Sequence, residues 1–222
     1  MKLDPKLVSL SARSTVWSEA YRGLRTSIEY VQILRNLHTV LVTSAVRESG
    51  KSLTAANLAV VMAQAGNRTL VVDADLRRPA QHKIFGLPNL QGYTTVITKG
   101  LSLTSCLQAG PVEHLSVLTS GPLPRNPADL LGSEASMYVL GTLKDQFDMT
   151  LIDAPPVLGL ADALTLGGHT DGVLYIIKSR FNSRRLDLKA LQQLRQTGSQ
   201  VIGAVLNQAK DFDHHPYYDR NG

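Results

Sequence analysis

Residues 39–58 read TVLVTSAVRESGKSLTAANL, and this stretch decides the fold. Thr39-Val40-Leu41-Val42-Thr43 is a β-rich run, Ser44 to Ser49 make a short loop, and Gly50-Lys51-Ser52 open an apolar, Ala-rich segment that reads as helix. Counted from Ala45, the spacing is [G/A]-x-x-x-x-G-K-S, a phosphate-binding loop set between strand and helix. Backbone N–H groups at the loop and the helix start face a polyphosphate there. Lys51 adds a point charge, the Ser52 hydroxyl can hold Mg²⁺, and Gly50, lacking a Cβ, lets the main chain approach closely. The nucleotide-binding stretch is therefore Ala45, Val46, Arg47, Glu48, Ser49, Gly50, Lys51 and Ser52. Two departures stand out: Ala45 replaces the usual first glycine, and Arg47-Glu48-Ser49 is an unusually charged loop. A chance G-K-S at a helix start is the bland alternative, and the flanking strand and helix weigh against it.

Outward from this loop, the same pattern repeats. The helix after the loop is expected to stop at Gly66-Asn67. Thr69-Leu70-Val71-Val72 is a second buried strand that delivers Asp73-Ala74-Asp75 at its carboxyl end, where ligands of open α/β sheets gather. Two carboxylates so close repel unless a cation sits between them, and Mg²⁺ suits one or two carboxylates plus phosphate oxygens and water. Turn chemistry after a strand is the plain alternative for this acidic pair. Met149 to Asp153 is another apolar strand ending in a carboxylate, placed to hold the water shell of Mg²⁺. Further strands are expected at Leu115–Thr119, Gly172–Lys178 and Val201–Leu206, the last delivering Asn207. Residues 81–110 read as loops and short helices over the mouth of the sheet, residues 128–144 as one helix, residues 162–167 as a short helix and residues 183–196 as another.

Six strands alternating with helices predict a single-domain α/β P-loop NTPase with a doubly wound, mostly parallel sheet and helices on both faces. One nucleotide-binding domain spans residues 1–210. It includes an extended arm over residues 1–14 and a helix from Thr15 to about Leu37, with apolar residues at spacings of three and four. On that helix Glu19, Arg22 and Arg25 form E-x-x-R-x-x-R, either paired within the helix or projecting towards another subunit. Residues 211–222, DFDHHPYYDRNG, carry no periodicity and make a tail.

With 222 residues, 43% hydrophobic and 18% charged, the chain has an ordinary globular composition and enough length for one sizeable core. The net charge of +5 is a weak pointer to acidic partners, nucleotides included. A single cysteine, Cys106, excludes an intrachain disulfide and fits a reducing compartment. No apolar run approaches the ~20 residues of a membrane span, and the first residues lack a signal-peptide core, so a cytoplasmic location is expected.

These motifs in this order resemble the bacterial tyrosine kinases of capsule and exopolysaccharide systems (BY-kinases), in the arrangement where kinase and membrane partner are separate chains. The resemblance spans nearly the whole chain: the E-x-x-R-x-x-R helix, TSAVRESGKS, LVVDADLRRP, NPADLL, LIDAPPV, VIGAVLNQ and the terminal tyrosine pair. It implies an ATP- and Mg²⁺-dependent protein-tyrosine autokinase. By resemblance Lys51 and Ser52 bind the β/γ-phosphates and metal, Ser52, Asp75 and Asp153 support the metal, and Asp73 is the base for an incoming tyrosine. Lys51, Asp73 and Asp75 would then be the catalytic set, and Asn207 would read the adenine edge. Tyr217 and Tyr218 would be phosphorylated in trans, and Glu19, Arg22 and Arg25 would join subunits into a ring. A membrane-spanning polysaccharide co-polymerase (adaptor) as activator, a protein-tyrosine phosphatase and protein tyrosine substrates are the implied partners, with no nucleic acid and with peripheral attachment to the membrane through the adaptor.

Two other readings share the motifs. One is a switch ATPase of the partition or cell-division-site type, which carries a lysine just after the first loop residue, where Val46 stands here. The other is an inactive pseudokinase, to which the charged loop and the short tyrosine tail both point.

Overall fold

The computed structural model describes residues 3–10, 15–179 and 184–209. Strand β1 (Thr39–Ser44) is buried at every residue, as an apolar strand covered on both faces must be. Around it lie β2 (Thr69–Asp73), β3 (Gln108–Ala109), β4 (Leu115–Leu118), β5 (Met149–Asp153), β6 (Gly172–Lys178) and β7 (Val201–Asn207). They form one sheet in the order β3-β4-β2-β5-β1-β6-β7, parallel throughout except where β3 runs against β4.

Side chains alternate across this sheet. Leu41, Leu70, Val72, Ile152, Val173 and Tyr175 face one apolar layer, and Val40, Val42, Val71, Leu151, Leu174 and Ile176 face the other. The second layer is closed by α1 (Val16–Arg35), α2 (Lys51–Gln64) and the short α3 (Gln81–Ile84). The first is closed by α4 (Tyr93–Lys99), α5 (Leu103–Cys106), α6 (Pro127–Leu131), α7 (Glu134–Gln146), α8 (Asp162–Gly167) and α9 (Arg184–Gln196). The doubly wound expectation is thus met strand by strand. Helix α2 is buried almost all round, which explains its alanines: small side chains let a helix lie against the sheet on one side and α1 on the other.

Three details differ from the sequence reading. The sheet has seven strands rather than six, because the two-residue β3 is too short to show any period. Residues 128–144 are not one helix: α6 ends at Gly132, and Ser133 caps α7 by accepting from the Ser136 N–H at 3.2 Å. The described part of the arm is not extended throughout: it carries a short 3₁₀ turn at Val8–Leu10 and is docked on α2. Leu7 is buried, Asn57 of α2 accepts from the Ser9 N–H at 3.0 Å, and its amide donates to the Lys6 carbonyl at 3.2 Å.

The start of β1, which aims the phosphate loop, is held by Asp171. One oxygen accepts from the His38 and Thr39 N–H groups at 2.9 and 2.8 Å and from the Thr39 hydroxyl at 2.9 Å, and the other from Lys144 at 3.1 Å. Burial pushes this carboxyl up, but the donors from His38, Lys144 and Thr39 outweigh it and hold the pKa below its ordinary value. A lowered folded pKa stabilises above the unfolded value, and the contribution is lost as pH falls through the folded one. Asp171→Ala is expected to cost about 1–3 kcal/mol at pH 7, since two backbone donors lose their acceptor. Urea unfolding at pH 7 and at pH 3 checks this: the gap between the two proteins narrows in acid.

Candidate active site

Parallel pairing of β2 with β5 sets Asp73 directly opposite Asp153, and β5 with β1 sets Asp153 opposite Val42. Two carboxylates therefore stand side by side at the carboxyl ends of neighbouring strands, beside the loop that leaves β1. Both are fully buried. The Ala80 and Gln81 N–H groups donate to one Asp73 oxygen at 2.9 and 2.8 Å, and the Gln81 amide donates to Asp153 at 2.8 Å and to the Ser52 carbonyl at 3.0 Å. Gln81 was not among the residues expected here. It ties the loop after β2, the start of α2 and the end of β5 together.

Lys51 reaches into this group from the first turn of α2. Its Nζ lies 3.1 Å from Asp75 Oδ2 and 4.0 Å from Asp153 Oδ1. Burial opposes its charge, but Asp153 and Asp75 outweigh burial, so its pKa is raised and it stays an ammonium. Burial pushes Asp73 well above the carboxylate range, and the neighbouring Asp153 adds to the push against the Gln81 and Ala80 hydrogen bonds. Asp153 is also raised by burial, with Lys51 and hydrogen bonds from Ser52 and Gln81 opposing. Three carboxylates against one ammonium leave excess negative charge. Asp73 Oδ1 and Asp153 Oδ1 are moreover buried with no hydrogen-bond partner, at a cost of about 1–3 kcal/mol each.

The loop itself resolves the oddity of its sequence. Arg47 and Glu48 are exposed on the rim of the cleft that Lys51 and Asp75 also line, where water screens their charges. Glu48 has φ 59°, a left-handed conformation that disfavours side chains other than glycine. Gly50 has φ 84°, and a Cβ built there would lie 1.9 Å from the Asn207 amide nitrogen. That amide donates to the Ser49 carbonyl at 2.9 Å, and the Asn207 oxygen accepts from the Gln208 N–H at 2.9 Å. Asn207 thus braces the loop from the end of β7. Ala45 is fully buried and Val46 half-buried, while the Ser49 hydroxyl donates to the Val46 carbonyl at 2.9 Å.

An AAA domain family model matches residues 47–209. The tyrosine-protein kinase YwqD of Bacillus subtilis (strain 168) is 39% identical over 216 residues, covering 97% of this chain and 91% of its own. The chain belongs to the bacterial tyrosine kinases. Solved structures agree. The chimerical protein CapA2B2 superposes with a TM-score of 0.87 at 34% identity, covering 94% of this chain and 92% of that one. The kinase domain of Escherichia coli tyrosine kinase ETK gives 0.85 at 30%, covering 94% and 83%. The septum site-determining protein MinD of Pyrococcus horikoshii, complexed with Mg-ADP, gives 0.67 at 20%, covering 81% and 74%, which is likeness of fold alone.

As a bacterial tyrosine kinase of the capsule and exopolysaccharide class, the protein binds nucleotide and transfers a phosphoryl group to tyrosine. The remaining expected residues are placed as follows. Glu19 and Arg22 form an ion pair along α1, both partly exposed. Arg25 turns inward, donating to the Val61 carbonyl at 3.2 Å and lying 3.5 Å from Glu29. Tyr217 and Tyr218, with the whole tail 211–222, lie outside the described residues. No helix among the described residues is long and apolar enough to cross a membrane.

Proposed function

We propose that this kinase is an ATP- and Mg²⁺-dependent autokinase that phosphorylates Tyr217 and Tyr218 between subunits and thereby regulates polysaccharide synthesis. The observation that carries the reading is the buried cluster of Lys51, Asp73, Asp75 and Asp153, with two carboxylate oxygens that accept no hydrogen bond, beside a phosphate loop. Residues 1–210 form the catalytic domain and residues 211–222 the acceptor tail.

Backbone N–H groups of residues 45–52 cradle the β/γ-phosphates, and Lys51 exchanges Asp75 for a phosphate oxygen. Among the described residues no three His, Cys, Asp or Glu side chains form a ready-made metal cage. The donor set fits Mg²⁺ all the same, since that ion takes one or two protein oxygens and fills its shell with phosphate and water. Ser52, Asp75 and Asp153 would hold it, and its charge would offset that of the phosphates. Asp73, made more basic by burial, takes the proton of the incoming tyrosine, whose own pKa of ~10 leaves it neutral at pH 7. Asn207 meets the adenine edge by exchanging its loop contact. Ten residues separate Asn207 from Tyr217 (217 − 207), roughly 33–36 Å when extended, so the tail reaches a neighbouring site.

Glu19, Arg22 and Arg25 contribute to a ring of subunits, and Arg25 leaves its intrachain partners to do so. A membrane-spanning adaptor activates the kinase and keeps it at the cytoplasmic face of the membrane; the likeness to a chimerical protein supports a partner segment. A tyrosine phosphatase resets the tail.

Phosphotyrosine mapping after incubation with ATP, Mg²⁺ and the cytoplasmic segment of a candidate adaptor tests the reading. Tyr217→Phe with Tyr218→Phe is expected to remove the tail signal. Phosphate release without any phosphotyrosine would instead support a switch ATPase.

A further inference from the structure

Helix α3 is a single turn, too short to hold its place unaided. What fixes it comes from outside, at both ends. At its start one Asp73 oxygen accepts from the Ala80 and Gln81 N–H groups. The Gln81 amide donates to the Ser52 carbonyl at 3.0 Å and to Asp153 Oδ2 at 2.8 Å. At its end the carbonyls have no partners within the turn and must find them beyond it. Those of Gln81, His82 and Lys83 accept from the Phe85, Leu87 and Gly86 N–H groups. The last, Ile84, accepts at 3.0 Å from the Asp4 N–H of the N-terminal arm.

The arm is itself built in. The Lys6 N–H donates to the Asp4 carboxylate at 2.8 Å and the Leu7 N–H to the Asp4 carbonyl at 3.0 Å, so residues 4–7 form a turn. That turn places Leu7 in the apolar layer that also holds Ile84 and Phe85. Asn57, fully buried in the middle of α2, holds the arm with both ends of its amide. Its oxygen accepts from the Ser9 N–H and its nitrogen donates to the Lys6 carbonyl, while Gln64 donates to the Ser9 carbonyl at 3.2 Å. A buried amide among alanines and valines needs such partners, and apart from the Leu53 carbonyl one turn back, the arm supplies them.

Helices α2 and α3 are therefore tied twice, by Gln81 and Ser52 at the end beside Lys51 and by the arm at the other. The tie at Gln81 sets the carboxylates. With Oδ2 of Asp153 engaged by the amide, Oδ1 accepts no hydrogen bond and lies 4.0 Å from Lys51 Nζ. Asp73 has the same division, one oxygen held by two N–H groups and the other bare. A carboxylate pinned by one oxygen presents the other in a fixed direction, as supporting a metal or taking a proton requires. The phosphate loop has separate supports, the fully buried β1 before it and Asn207 on the Ser49 carbonyl.

We propose that Gln81 is a positioning residue for phosphoryl transfer and that the N-terminal arm is the strap that keeps it in place. The arm closes the end of α3, packs Leu7 beside it and anchors both to α2 through Asn57. The inference rests on the reading of Asp73 as base and Asp153 as metal support. It separates two steps: nucleotide binding depends on the loop and Lys51, transfer on the aim of the carboxylates. Gln81→Ala keeps the backbone N–H that serves Asp73 and removes only the amide. It is expected to lower kcat by about 10–100-fold, the usual effect of losing a partner that orients a metal ligand. The KM for ATP changes little, because the loss falls on the transition state.

The test releases the arm in the full chain by two routes. Leu7→Asp puts a charge into the apolar layer, and Asn57→Ala removes both amide contacts without one. Amide hydrogen exchange of the ligand-free chain is read first, and both variants are expected to exchange faster over residues 80–87 while β5 exchanges as in the parent. Unchanged exchange over residues 80–87 overturns the strap and leaves the autokinase reading standing. Faster exchange in β5 as well, in both variants, also overturns it, since the arm would then support the whole fold. Phosphotyrosine formation is read second. Each variant is expected to lose about tenfold or more in kcat at nearly constant KM for ATP. Combined with Gln81→Ala, either is expected to lose no more than Gln81→Ala alone, because the effects share one route. Losses that multiply, or a kcat equal to the parent's, overturn the positioning role. A parent chain that forms no phosphotyrosine overturns the autokinase reading, and the exchange result still decides the strap.

Discussion

Lys51→Met is expected to reduce phosphotyrosine formation by about 10²–10³-fold or more, the range for deleting one preorganised charge at a transferring group. The reason lies in the arrangement around it. Its Nζ is the ammonium that faces Asp75 and Asp153, at 3.1 and 4.0 Å. Without it, a polyphosphate would meet three carboxylates with no cation buried among them, since Arg47, Arg77 and Arg78 line the cleft from exposed positions. The same change should weaken the fold, because removing one partner of a buried charge group costs roughly 3–5 kcal/mol. Asp73 and Asp153 already have raised pKa values through burial, and the loss of Lys51 raises them further. A folded carboxyl that binds its proton more tightly than the unfolded chain gains stability as pH falls. The variant is therefore expected to be least stable at neutral pH and to recover part of the loss towards pH 5. Phosphate transfer from labelled ATP and thermal melts over that pH range measure both effects. A variant that melts like the parent at every pH would mean that Lys51 is not the counter-charge of this cluster.

Most of the site was legible because each element of it ends an apolar run. Asp73 and Asp153 close strands of four apolar or β-branched residues, and Lys51 opens a helix, so their positions follow from local pattern. Their adjacency does not. It comes from the register that sets Asp73 opposite Asp153, and register depends on the whole sheet order. Contacts made across long separations left no trace in the sequence. Gln81 belongs to no motif, yet it links Ser52, 29 positions before it, to Asp153, 72 positions after it. Asn207 was expected at the adenine, and its side chain lies on the Ser49 carbonyl, a contact no spacing rule reaches. The charged loop was the reverse case. Arg47-Glu48 looked like an obstacle to phosphate, and the fold leaves both exposed on the rim of the cleft that Lys51 and Asp75 line.

The row on α1 shows where local reasoning is divided by physics. Three residues at a spacing of three can pair with one another or with a neighbour, and Glu19 and Arg22 do pair internally here. Arg25 instead spends its hydrogen bond on α2. Exposed pairs of this kind contribute about 0.2–1 kcal/mol, so an interface offering a desolvated partner can outcompete them. Intrachain pairing is thus compatible with the proposed ring.

Asp73→Asn is expected to do two opposite things: to lower tyrosine phosphorylation by about 10²–10⁴-fold, the usual worth of a general base, and to raise stability. The ionised side chain is fully buried beside Asp153, and one oxygen has no hydrogen-bond partner. An amide of the same shape keeps an acceptor for the Ala80 and Gln81 N–H groups and presents a donor where the orphaned oxygen stood. A gain of about 1 kcal/mol, or 2–4 °C in Tm for a domain of this size, is expected at pH 7. The sign of the pH dependence follows from the raised pKa. The penalty of the ionised carboxylate is fully present above the folded pKa and vanishes as pH falls below the unfolded value near 3.9. The advantage of the variant should shrink in acid, and the two melting curves should meet. A variant less stable than the parent at pH 7 would mean that the ionised carboxylate is held by compensating charge, as a purely structural partner of Lys51 would be. Lost transfer together with gained stability has a different meaning: burial here serves the chemistry by keeping Asp73 basic, and the fold carries the cost.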